Sequence, residues 1–71
     1  MSLKVDDIVR NKLAPPTAAV GRLCYIGPVT SCVQFPEGCL RIDNRDLELA
    51  SGNAPPCTDG CKKGQCGAPN L

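Results

Sequence analysis

The chain has no histidine. That removes every zinc site built on imidazole, the Ser-His and Cys-His nucleophile pairs, and the commonest general base. Aromatic residues make up 3% of the 71 residues and amount to Tyr25 and Phe35 alone. A core for a chain this short supplies only about 3–5 kcal/mol, and so few rings thin it further. Chains of this size lean on a metal, on disulfides or on a partner. No apolar run approaches the length of a membrane-crossing helix. The opening Met-Ser-Leu-Lys-Val-Asp-Asp has neither a basic leader nor an apolar stretch, so a cytoplasmic protein is expected. The net charge is only +1, which speaks against a nucleic-acid binder driven by bulk charge. There is no Gly-x-Gly-x-x-Gly and no phosphate loop. Ser31 and Ser51 have no base to activate them, and Glu37 and Glu48 have no evident carboxylate partner. No catalytic constellation emerges, and the expectation is a non-enzymatic protein.

What is present is organised around residues 21–50. Three short β patterns and a final apolar stub follow one another, each punctuated by a turn signal. Gly27-Pro28 marks the turn of a central hairpin. With a loop of Gly27-Pro28-Val29, Ile26 pairs with Thr30, Cys24 faces Cys32 and Leu23 faces Val33. One face then holds Leu23, Tyr25, Val33 and Phe35, with Ser31 its only polar member. The other holds Arg22, Cys24, Ile26, Thr30, Cys32 and Gln34. A slip of one residue scatters the apolar set, so this register is preferred. It makes Cys24 and Cys32 direct cross-strand neighbours, with Cβ atoms roughly 4.5–5.5 Å apart.

A first strand is expected over 4–10, with Val5 and Val9 apolar. Asp6 and Asp7 fall at its start. As a carboxylate pair they could do acid–base work, but adjacent strand residues point to opposite faces, so they read as a solvated strand end. Pro15 and Pro16 make 11–18 a surface loop rather than a strand. Pro36-Glu37-Gly38 is a second turn. Leu40 and Ile42 point together on a short strand, 43–46 suggests one turn of 3₁₀ helix, and Leu47 and Leu49 point inward on the last strand.

Five short strands in this order resemble an SH3-like small β-barrel. Residues 21–35 followed by Asp46-Leu47-Glu48 are similar to KOW-type barrels, in which a strand after a glycine leads through a hairpin to a Val-x-Phe strand and ends in an Asp-Leu-Glu strand. A more distant similarity, in Val9-Arg10-Asn11 and Val33-x-Phe35, is to small nitrogen-fixation accessory barrels. The resemblance implies an all-β, five-stranded barrel over residues 4–50. The fold family hosts nucleic-acid, peptide and protein-assembly roles. In KOW domains the RNA contacts come from basic and aromatic loop residues; here the loops offer Lys12, Arg22 and Arg41 only.

Residues 51–71 are a different material, dominated by Pro, Gly and small polar residues and without apolar period. Left alone, this tail should be disordered. It carries Cys57, Cys61 and Cys66, with glycines nearby that let a chain wrap a small centre and Lys62 and Lys63 to favour thiolates. Three tail thiolates with one from the barrel, Cys39 ahead of Cys24 and Cys32, would complete an all-thiolate zinc site or hold an iron–sulfur cluster. Disulfides are the competing reading. Reactive thiols in a free tail are a third. The sequence therefore points to a small binding or assembly module. Its barrel docks a protein partner, and its Cys-rich tail binds a metal or acts through thiols. A disulfide-knit protein of an oxidising compartment and an RNA- or ribosome-associated barrel are the alternatives. Oligomeric state has no signature in the chain.

Overall fold

The computed structural model describes residues 3–15 and 17–65. Among these the chain is mostly β. Five antiparallel strands, β1 (Ile8–Asn11), β2 (Gly21–Ile26), β3 (Thr30–Phe35), β4 (Gly38–Asp43) and β5 (Leu47–Leu49), form one sheet in the order β4-β3-β2-β1-β5. A 3₁₀ turn, Asn44–Asp46, separates β4 from β5, and a single short helix, α1 (Asp59–Lys62), follows. The expected strand set and the 3₁₀ turn are present. Closure into a barrel is not: β4 and β5 are the two edges of an open sheet.

The inner face is the apolar one. Val9, Leu23, Val33, Phe35, Ile42 and Leu47 are buried together, with Leu3 packed against them. Leu23 lies opposite Val33, as the hairpin pattern requires, and Val33 opposite Leu40. Ser31, the polar member of this face, is also buried. Its hydroxyl donates to Asn44 Oδ1. Asn44 in turn donates through Nδ2 to Gly27 O at 2.9 Å and through its backbone N–H to Val29 O. The 3₁₀ turn thus ties down the β2–β3 turn. Gly27 is needed there because a Cβ would stand 2.4 Å from Thr30 O.

Two apolar residues of the expected strands are not buried. Val5 is half exposed because β1 starts four residues later than the pattern suggested. Asp6 turns the chain there in the left-handed region, at φ 79°, which Asp tolerates better than a branched residue. The Asp6-Asp7 pair is an entry turn: Asp7 Oδ2 accepts from Lys4 N–H at 2.8 Å. Leu49 is also half exposed, at the end of a three-residue edge strand.

The larger correction is in β2. The register shifts between Leu23 and Tyr25, so that Tyr25 opposes Cys32 and Ile26 opposes Ser31. A bulge sets two residues of one strand, Cys24 and Tyr25, against one of its partner. Cys24 and Cys32 remain together, but Tyr25 leaves the core face and becomes 41% exposed.

Full burial of a leucine side chain is worth about 1.5–3 kcal/mol, and truncation adds a cavity cost. Leu23→Ala is expected to lower unfolding stability by roughly 2–5 kcal/mol, and Leu13→Ala, on an exposed loop residue, by less than about 0.5 kcal/mol. Denaturant titration of the two variants checks this ordering.

Candidate functional site

The outer face of the sheet is built in rows. Register places Arg22, Gln34 and Cys39 side by side across β2, β3 and β4, and Tyr25, Cys32 and Arg41 in the next row. Polar side chains and cysteines on three adjacent strands would normally face water. Here residues 54–64 run across them.

Each attachment can be traced in order. Arg22 Nε donates to Pro55 O and its Nη2 to Ala54 O, both at 3.2 Å. Cys57 is disulfide-bonded to Cys24, with Cα atoms 5.7 Å apart. Thr58 Oγ1 donates to Gln34 Oε1 at 3.3 Å, and the same hydroxyl caps α1 by accepting from Cys61 N–H. Cys61 is disulfide-bonded to Cys39, with Cα atoms 6.1 Å apart. Arg41 Nη2 donates to Gly64 O at 2.7 Å. Gly64 rests on the ring of Tyr25, where a Cβ would come within 3.0 Å, and its φ of +78° also calls for glycine. The bulge that turned Tyr25 outward therefore supplies the surface on which the strap ends.

Residues 51–65 are thus an ordered strap rather than a free tail. Their composition predicts disorder because they carry almost no apolar side chain, and Cys61 is their one buried residue. The cross-links supply what burial does not. They close loops with sequence separations of 33 and 22 residues, each worth roughly 3–4 kcal/mol on a chain-entropy estimate.

The metal reading does not fit this arrangement. Cys57, Cys61 and Cys39 were expected to share one ion. The structure does bring them into a common layer with Cys24 and Cys32. But Cys57 is bridged to Cys24 and Cys39 to Cys61, and a bridged sulfur is not the thiolate that ligates zinc or iron. Cys66, the remaining expected ligand, lies outside the described residues.

A second site was not anticipated. A cleft of about 260 Å³ runs beside β4, lined by Ala14, Ala18, Ala19, Phe35, Leu40 and Ile42, with Asn11, Glu37 and Arg41 at its margin. Leu40, Arg41 and Ile42 are consecutive, so the wall is the edge of the strand itself and not one of its faces. The opposite wall belongs to the 11–19 loop. Arg10 holds that loop: it pairs with Glu48 across β1 and β5 and donates to Ala14 O at 3.3 Å and Pro15 O at 3.4 Å. The hint in the sequence was the run of small residues after Pro16, which leaves one wall without bulk.

Among the described residues no helix is long and apolar enough to cross a membrane. Comparisons with family models, with curated proteins and with solved structures find no match.

Digestion after Glu37 and Glu48 and before Asp59 places Cys24, Cys39, Cys57 and Cys61 on four separate fragments. Under non-reducing conditions, mass spectrometry is expected to find the fragment carrying Cys24 joined to the one ending at Thr58. The fragment carrying Cys39 should be joined to the one that begins at Asp59.

Proposed function

We propose that this chain is a small non-enzymatic docking module that takes an extended segment of a partner protein into the cleft beside β4. The observation that carries the reading is the cleft's construction. One wall is the open edge of a strand, and the other is a loop of alanines that allows a backbone to approach closely. Strand edges of this kind recruit extended peptides through main-chain hydrogen bonds, with side-chain pockets giving selectivity. Phe35, Leu40 and Ile42 favour an apolar side chain in the segment. Glu37, exposed at the margin, favours a basic residue beside it.

The strand order is compatible with the SH3-like, KOW-type resemblance, as an opened version of that meander. A cytoplasmic adaptor is our reading of the chain. The two disulfides favour a second reading, a cross-linked structural protein of an oxidising compartment.

The test is selection from a library of extended peptides, followed by NMR mapping of the bound residues. Selected peptides should combine apolar and basic positions and perturb Ala18, Leu40 and Ile42. Leu40→Asp should then weaken binding by about tenfold or more, and Glu37→Lys should reverse the charge preference while the protein stays folded. Binding that maps away from β4, or that ignores both substitutions, would discard the docking site.

A further inference from the structure

The two disulfides share a property that goes beyond stability. Each joins the strap to the sheet, Cys57 to β2 and Cys61 to β4. Neither joins two strands, and no cysteine belongs to the cluster of Val9, Leu23, Val33, Phe35, Ile42 and Leu47. Among the described residues the disulfides therefore lie between the layers, and the inner core contains no cross-link.

What remains of the strap without them is weak. Its polar anchors among the described residues are the Arg22 bonds to two carbonyls, Thr58 to Gln34, and Arg41 to Gly64 O, beside the packing of Gly64 on Tyr25. Single polar bonds of this sort, part-buried or exposed, contribute modestly each. The helix α1 has four residues, far below the length at which a helix stands on its own. Ala54, Pro55 and Pro56 are its only apolar residues besides the cysteines.

We infer that the strap is a redox latch: a dithiol reductant releases residues 54–65 from the outer face while the sheet and its inner core stay folded. For each bridge, one thiolate of the dithiol attacks a sulfur and forms a mixed disulfide. The second thiolate then resolves it. Two electrons pass to the bridge, two protons complete the two cysteine thiols, and the dithiol leaves as a disulfide. Release uncovers the Arg22–Gln34–Cys39 row and frees the Arg41 guanidinium at the margin of the cleft. The latch stands on the strap alone and holds whether or not the cleft takes a peptide.

The test is hydrogen–deuterium exchange, with tryptic cleavage after Lys62 and Lys63, on the full chain with and without dithiothreitol. In the oxidised protein the Lys62 and Lys63 amides, bonded to Thr58 O and Asp59 O, should be protected and both sites cut slowly. With the dithiol those amides should exchange roughly 100-fold faster or more, and both sites should open. The Leu23 and Val33 amides should keep their protection throughout. A variant carrying Cys24→Ala, Cys39→Ala, Cys57→Ala and Cys61→Ala should match the reduced protein without any reductant. Three results would overturn the latch: strap amides that stay protected in dithiothreitol, Leu23 and Val33 losing protection together with the strap, or a four-alanine variant that fails to fold.

Discussion

A sheet has two faces, and each must be covered or left to water. In this chain the inner face is covered by the sheet's own apolar residues. On the outer face the buried cluster consists of cysteines, without aliphatic or aromatic side chains. Cross-linking takes their place: two sulfur bridges hold a polar, proline-rich segment over three strands. The strap's path, the capping of α1 by Thr58 and the seat of Gly64 on Tyr25 all follow from where those bridges fix the chain.

The sequence revealed the inner face readily, because alternation is a local signal. Leu23 against Val33, the turn at Pro36-Glu37, the 3₁₀ turn and the burial of Leu47 could all be read from neighbours a few residues apart. The bulge at Cys24 could not. An extra residue in one strand leaves the apolar pattern of Leu23, Val33 and Phe35 intact, so Tyr25 looked like a member of a face it does not occupy. The strap was hidden for a different reason. Composition reports how much surface a segment can bury, and says nothing of covalent links to residues 22 and 33 positions away. The six cysteines were conspicuous, yet the same spacing serves a metal or a disulfide. Only the rows of the folded sheet set Cys24 beside Cys57 and Cys39 beside Cys61.

The cleft comes from the same architecture. Because the sheet stays open, β4 keeps an edge, and the 11–19 loop folds back towards it instead of lying flat. Arg10 does this by joining Glu48 on the far edge strand to the carbonyls of Ala14 and Pro15. The loop is thus linked to one edge strand and faces the other across the cleft, and Arg41 is shared between the cleft and the strap. The two surfaces of the molecule meet at that one side chain.

The direction of the bridges also matters for how the protein is made. In each, the sheet cysteine is synthesised well before its strap partner. During synthesis the ribosome therefore exposes β2 and β4 thiols before their mates exist, and the outer face is sealed only when Cys57 and Cys61 follow. Oxidising conditions met too early would offer Cys24 and Cys39 each other or Cys32 as partners. Correct pairing thus rewards a delay between translation and oxidation, and the order of residues along the chain sets how long that delay must be.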